Sequence, residues 1–308
     1  MATEPKHLSM PRAAPAPTRA APGARQWGLT DEELATRPLA YRGDLLAGQT
    51  FLVSGGGSGL GRAMTFTLAR LGANVMICGR RAEKLAEAAA SVQRLVGREV
   101  GTFPMTIRDP AQVDALVDAT WERFGGLDTL VNNGGGQFPQ AAIDFSVKGW
   151  LAVIDTNLNG TWYMMQAAAK RWRDAGRPGH IVNIVANVWR GMPQVAHTCA
   201  ARAGVIYLSK SVSTEWAHLG IRVNCISPGS IATEGLNVYE PAAADRFKYS
   251  NPMHTLGDGL DIAQAVVYLS SPTTGKFITG EVVVIDGGNN QVGDVWPGGV
   301  PDYIHPPR

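Results

Sequence analysis

Phe51-Leu-Val-Ser-Gly-Gly-Gly-Ser-Gly-Leu-Gly-Arg62 begins as a short apolar run and ends abruptly in glycines. Ala63 to Leu71 follows at helical spacing, so the stretch reads as strand, tight turn, helix. Gly55, Gly59 and Gly61 fall where the backbone turns sharply and lies close to something. A helix that starts there aims its unpaired N–H groups and the positive end of its dipole at the turn. That combination suits a pyrophosphate. A glycine pattern alone is also compatible with an ordinary strand-to-helix turn. Here the strand, the spacing, the helix and the next strand agree on a dinucleotide site.

Composition narrows the class. A chain of 308 residues, 45% hydrophobic and 18% charged, has the length and balance of one soluble α/β domain. The formal net charge of +2 gives no reason to expect a nucleic-acid partner. Cys78, Cys199 and Cys225 are odd in number and widely spaced, without Cys-x-x-Cys, and the six histidines lack ligand spacing. No disulfide frame and no metal site are expected, and a reducing compartment is. No apolar run reaches membrane-spanning length, and no secretory signal is evident.

Outward from the glycine turn, the chain divides into four parts. Residues 1–25 are rich in proline and alanine and are expected to be disordered. Residues 26–47 form an arm in which Thr30-Asp-Glu-Glu33 has the form of a capping box. Residues 48–290 alternate strand and helix, and 291–308 form a tail. Strands are expected at 51–53, 74–78, 100–105, 129–132, 181–185, 222–226 and 282–285. Helices are expected at 59–71, 81–95, 110–124, 202–219 and 262–270. A helical region from Ser146 to Arg173 has a break near 156–160, and 233–258 reads as an irregular polar lid. The strands are short, apolar and β-branched, as in a parallel sheet covered on both faces. The fold class is therefore α/β, a doubly wound Rossmann domain of about seven strands.

The second strand ends Ile77-Cys-Gly-Arg-Arg81. NAD sites carry an acid near this point to bind the adenosine ribose. Two arginines stand here instead, and Arg80 is suited to grip a 2′-phosphate by a forked, charge-assisted contact. NADP(H) is the expected cofactor. Asn132-Asn-Gly-Gly-Gly136 and Pro228-Gly-Ser-Ile-Ala-Thr233 follow later strands at the same carboxyl edge.

Together these motifs resemble the short-chain dehydrogenase/reductase family, with Asn157 in Thr-Asn-Leu-Asn-Gly and Ile-Val-Asn-Ile at 181–184 adding to the match. Leu-Val-Asn-Asn-Gly-Gly-Gly-Gln-Phe at 130–138, Lys-Gly-Trp at 148–150 and Ala-Ala-Arg-Ala-Gly-Val at 200–205 resemble the trans-2-enoyl-CoA reductases of peroxisomes. That subgroup is related to the 2,4-dienoyl-CoA reductases. The resemblance implies a cofactor held by Ser54, Gly55, Ser58, Gly59, Leu60 and Gly61 in the glycine turn. Further contacts are implied from Arg80, Arg81, Thr106, Ile107, Asn133, Gly134 and Gly135, from Arg202, and from Pro228, Gly229, Ile231 and Thr233.

The departures from the family bear on the reaction. The family's serine position falls near Ala186, its tyrosine on Thr198 and its lysine on Arg202, leaving Asn157 in place. Carbonyl reduction needs a positioned acid, whose loss typically costs about 10²–10⁴-fold. Threonine cannot replace a tyrosine acid, and arginine stays charged. Arg202 is still able to hold ribose hydroxyls. Reduction of an enoyl thioester instead needs hydrogen-bond donors for an enolate oxygen, and Thr198 or His197 is the expected donor. The resemblance thus implies an NADPH-dependent reductase of the C=C bond of an acyl-CoA. Another activated alkene or a carbonyl as substrate, and a cofactor-binding protein without turnover, remain the alternatives. A homodimer or homotetramer through 157–173 and 202–219 is implied, with no nucleic-acid or membrane partner, in the cytoplasm.

Overall fold

The computed structural model describes residues 27–291 except Glu240. The disorder expected at 1–25 and nearly all of the 291–308 tail lie outside the described residues. Strands β1 (Thr50–Ser54), β2 (Asn74–Gly79), β3 (Val100–Pro104), β4 (Thr129–Asn132), β5 (Gly179–Ile184), β6 (Ile221–Pro228) and β7 (Val282–Ile285) form one sheet. Its order is β3-β2-β1-β4-β5-β6-β7, and every pairing is parallel. The order reverses between β1 and β4, which share the register Leu52 to Leu130. A ligand crevice belongs outside the strand ends at such a point.

Nine helices cover the sheet among the described residues: α1 (Asp31–Thr36), α2 (Gly59–Arg70), α3 (Ala82–Val96), α4 (Pro110–Phe124), α5 (Val147–Ile154), α6 (Gly160–Asp174), α7 (Ala196–Glu215), α8 (Pro241–Arg246) and α9 (Gly259–Ser270). Two apolar layers result. One packs Phe66, Leu85 and Val267 of α2, α3 and α9 on one face of the sheet. The other packs Leu116, Met165 and Trp172 of α4 and α6 on the opposite face. β1, β4 and β5 are buried along their whole length, as the continuous apolar runs in the sequence require of inner parallel strands.

The arm belongs to the domain. Thr30 and Glu33 form the expected capping box of α1. Leu34 and Leu46 are buried in the α2 layer. Arg62, one turn into α2, binds Asp31 with its Nε at 2.7 Å, and the forked contact is largely shielded from water. The arm is thereby pinned to the helix that opens the glycine turn.

Three expectations need correction. α7 starts at Ala196, not Arg202, so His197 and Thr198 lie in its first turn. Its cap, Val195, makes no side-chain capping bond, which left no start signal in the sequence. The region 155–160 does not break; it makes one π-helical turn, Asp155–Asn159, between α5 and α6. The 233–258 segment is irregular only in part. Thr233 caps a 3-10 turn at Glu234–Val238, Pro241 opens α8, and a second 3-10 turn follows at Phe247–Ser250. Proline at a helix start is favourable, and the segment's polarity concealed that local order.

Candidate active site

The glycine turn leaves β1 and enters α2 with almost no room to spare. A Cβ on Gly61 would stand 2.0 Å from the Gly55 carbonyl oxygen and 2.7 Å from Asn133 Nδ2. Only glycine lets the helix start lie this close to the strand end, where its free N–H groups face the crevice. Gly55 and Ser58 line that crevice together with Thr106, Ile107, Gly134 and Gly135. Ser54, Gly61 and Asn133 shape it from behind. Ser54 Oγ accepts the Asn133 and Gly134 N–H groups at 3.0 and 2.8 Å. Asn133 Nδ2 donates to the Ser54 carbonyl at 3.1 Å. Gly59 faces the arm beside Trp27 and Leu29, and Leu60 faces the second cavity described below.

At the far end of the crevice, Arg80 and Arg81 stand where the sequence placed them, joined by Lys84 and Arg108. Lys84 pairs with Glu87 at 2.9 Å. Among the described residues, Arg80, Arg81 and Arg108 have no ion-pair partner. Sequence reasoning missed Lys84 and Arg108. Lys84 sits at helical spacing behind Arg80 and Arg81, so a helix-wheel reading would have reached it. Arg108 follows β3 and had no such signal.

The segment after β4 organises the rest, one residue at a time. Gly134 binds Ser54. Gly135 lies against Arg202: a Cβ there would be 2.2 Å from the Arg202 guanidinium nitrogen and 2.9 Å from Asn157 Oδ1. The Gly136 N–H donates to Asn157 Oδ1 at 3.0 Å, and its carbonyl accepts from Asn157 Nδ2 at 2.9 Å. Gln137 Nε2 donates to Tyr239 Oη at 2.7 Å. Phe138 meets the His197 ring edge-on at 4.7 Å. The π-helical turn is what aims Asn157 at this segment; single π turns inside helices recur at functional sites.

Arg202 is 8% exposed, and among the described residues it forms neither an ion pair nor a hydrogen bond. Burial pulls its pKa from 12.5 down to about 10, so it remains a cation at neutral pH. An unpaired buried charge is costly and suits a site whose partner arrives with a ligand. His197 and Thr198 are placed differently. His197 is sandwiched between Phe138 and Phe145, stacked on the latter at 4.5 Å, and its Nδ1 accepts the Thr198 N–H at 2.8 Å. Burial lowers its pKa, with the backbone at Val195 and Phe138 acting the other way. Both side chains are enclosed, and Thr198 Oγ1 faces His197 Nδ1 at 3.4 Å. Neither lines the crevice or the neighbouring cavity, and the same holds of Arg202 and Asn157, which lie against the crevice wall at Gly135.

That cavity has a volume of about 820 Å³ and opens beside the β5 and β6 ends, within the size range of small-molecule sites. Ala186, Met192, Leu236 and Phe247 supply apolar wall; Gln137, Asn187, Arg190 and Tyr239 supply polar groups. Pro228, Gly229, Ile231 and Thr233 line this cavity rather than the first crevice. Gln194 on its wall has φ of 70°, a left-handed conformation uncommon outside glycine. Its carbonyl is held by the Gln140 N–H at 2.9 Å.

Residues 55–290 match the family model described as Enoyl-(Acyl carrier protein) reductase. A probable 2,4-dienoyl-CoA reductase of Bacillus subtilis is 37% identical over 243 residues, 77% of this chain and 94% of that protein. The peroxisomal 2,4-dienoyl-CoA reductase of Rattus norvegicus is 35% identical over 251 residues, 80% of this chain and 85% of that protein. A solved citronellol catabolism dehydrogenase from Pseudomonas aeruginosa superposes with a TM-score of 0.73 at 36% identity, covering 82% of this chain and 99% of its own. With its parallel seven-stranded sheet, its glycine turn at the order reversal and these relatives, the chain belongs to the short-chain dehydrogenase/reductase family of oxidoreductases.

Proposed function

We propose that this protein is an NADPH-dependent reductase of a C=C bond conjugated to an acyl-CoA thioester. One observation carries the reading: the family's acid position is occupied by an enclosed Thr198, while a buried Arg202, unpaired among the described residues, faces Gly135 and Asn157. A site that lacks the acid for an alkoxide but keeps a fixed positive charge is poorly suited to ketones. It is better suited to a substrate whose charge spreads onto a thioester oxygen. The names of the two dienoyl-CoA reductase relatives support the same substrate class, and the largely apolar cavity has room for an acyl chain.

The crevice fits a dinucleotide phosphate. Gly55 and Ser58 would hold its pyrophosphate against the α2 N-terminus, and Arg80, Arg81 and Arg108 its 2′-phosphate. Arg202 and Asn157 would hold the nicotinamide ribose. When bound, the cofactor supplies the hydride. The protein's part is to orient the substrate across the Gly134–Gln137 segment and to stabilise negative charge with Arg202. α2 and the glycine turn fix the one partner, and the β6–α9 segment encloses the other.

Arg80→Asp is expected to weaken NADPH binding about 10- to 100-fold, from the loss of a charge-assisted contact of about 1.5–3 kcal/mol. NADH binding should be unchanged or improved. Fluorescence titration of both cofactors checks this, and an equal loss for both would remove Arg80 from the phosphate site.

The exposed Tyr207 of α7 supports assembly of copies through α6 and α7, measurable by analytical sizing. For the activity itself, the purified protein is supplied with NADPH and a series of trans-2-enoyl- and 2,4-dienoyl-CoAs of different lengths. Loss of reduced-nicotinamide absorbance with at least one of them is expected. No loss with any would defeat the reading.

A further inference from the structure

We infer that Tyr239, carried on the segment between β6 and α9, is the residue that donates a hydrogen bond to the substrate carbonyl oxygen, and that Gln137 positions it. The inference rests on the reading of the protein as an acyl-thioester reductase. Three features lead to it. Tyr239 lines the cavity from the side of its cover, and Gln137 lines it from the β4 edge. The two meet across 102 positions of sequence, Gln137 Nε2 donating to Tyr239 Oη at 2.7 Å. A phenol has one proton and accepts through its lone pairs. With the amide donating to it, its own O–H is left to donate, and among the described residues no acceptor takes it.

The placement fits the chemistry. Gln137 directly follows Gly136, which exchanges two hydrogen bonds with Asn157, and Gly135 before it touches Arg202. The tyrosine hydroxyl is thus tied, through three consecutive residues, to the groups that would hold the nicotinamide end of the crevice. Phe247 packs on the Tyr239 ring at 4.8 Å and restricts its swing. Burial raises the Tyr239 pKa, with the Gln137 contact opposing it, so the hydroxyl keeps its proton at neutral pH. Tyr239 in this way supplies a hydrogen bond and not the proton that the family's tyrosine, whose position Thr198 takes, would give.

In the step itself, hydride adds to the distal alkene carbon and the π electrons move onto the thioester oxygen. Tyr239 holds that oxygen by its O–H and retains its proton. Water then protonates the carbon chain, so that one hydride and one proton have been added across the double bond. The donation matters only as charge grows on the oxygen, so its loss should appear mainly in kcat.

The test uses the full chain, with NADPH and the best acyl-CoA of the series, and three proteins. Tyr239→Phe is expected to lower kcat about a hundredfold, the usual cost of one oxyanion donor, with NADPH affinity and thermal stability unchanged. Gln137→Glu replaces a donor by a carboxylate that only accepts and so turns the phenol proton away from the substrate. Its activity should match that of Y239F at alkaline pH and recover as the carboxyl takes up its proton on acidification, while the wild type shows no such gain. Separately, the 13C resonance of [1-13C]acyl-CoA bound with NADP+ should lie further downfield in the wild type than in Y239F.

A Y239F enzyme with wild-type kcat and an unchanged carbonyl resonance would overturn the inference and leave the acyl-CoA reductase reading intact. A wild type that turns over no enoyl-CoA yet binds acyl-CoA with a Tyr239-dependent resonance would defeat that reading and support the donor role. A wild type that neither turns over nor binds any acyl-CoA would overturn both.

Discussion

Gly61→Ala is expected to weaken NADPH binding about a hundredfold and to destabilise the protein by about 1–3 kcal/mol, the usual range for overpacking a tight site. The added methyl would lie 2.0 Å from the Gly55 carbonyl oxygen. That atom belongs to the backbone, so no flexible side chain is available to yield. Relief requires the first turn of α2 to move off the end of β1, and α2 is anchored on two sides. Arg62 is tied to Asp31 of the arm, and Phe66 and Leu68 are buried in the core. The N–H groups at the helix start would then miss the pyrophosphate. Two charge-assisted hydrogen bonds of about 1.5 kcal/mol each account for the hundredfold. Fluorescence titration with NADPH and thermal melting of the apoprotein measure the two effects. Affinity within twofold of wild type would mean that the turn does not hold the cofactor.

Arg202→Met is expected to have effects of opposite sign on stability and function. The guanidinium is buried without a partner among the described residues, and burial holds its pKa at about 10 against an ordinary 12.5. At about 1.4 kcal/mol for each pH unit, keeping the charge there costs the folded apoprotein on the order of 3–4 kcal/mol. Methionine fills similar space without charge, and replacing a buried ion by a well-packed apolar residue is often stabilising. The apoprotein should therefore melt several degrees higher than wild type. Activity should fall by at least a hundredfold, because both the ribose contact and the positive field at the developing oxyanion are gone. Thermal scans with and without NADPH separate the two: the cofactor should raise the wild-type melting temperature by more than it raises that of the variant. An apoprotein destabilised by the substitution would show that Arg202 is a structural residue.

The extent to which the sequence revealed this molecule follows from how local each signal is. β4, α4 and β7 occupy the residues that periodicity assigned to them, because Pro110 and the apolar runs mark their ends within a few positions. The glycine turn was legible for the same reason: its glycines, strand and helix are contiguous. Arg80 was legible because it directly follows a strand. The start of α7 was not, since Val195 gives no capping signal. Nor was the enclosure of His197, which depends on Phe138 and Phe145 approaching from another loop. Gln137 stands inside a motif that was read for its glycines, and nothing in its neighbours points to Tyr239. Contacts of that separation are set by the sheet order, which brings the ends of β4 and β6 to one edge on either side of β5.

The arm illustrates a further limit. Its capping box was readable, but its role was not. Leu34 and Leu46 enter the core, and Asp31 neutralises Arg62 beside the glycine turn. Gly28 reaches the cover segment as well, since a Cβ on it would stand 3.1 Å from the Ala232 carbonyl oxygen. The first described residues therefore brace both the glycine turn and the start of the cavity cover.

The reaction is defined by whether hydride is delivered to an alkene carbon or to a carbonyl carbon. The most direct measurement is to incubate the protein with NADPH carrying deuterium at the transferring position and a trans-2-enoyl- or 2,4-dienoyl-CoA, then to weigh the product. The expected product is an acyl-CoA with one double bond fewer, carrying one deuterium on a former alkene carbon and an intact thioester. Deuterium found only in alcohol or aldehyde products, or none transferred to any of these substrates, would contradict it.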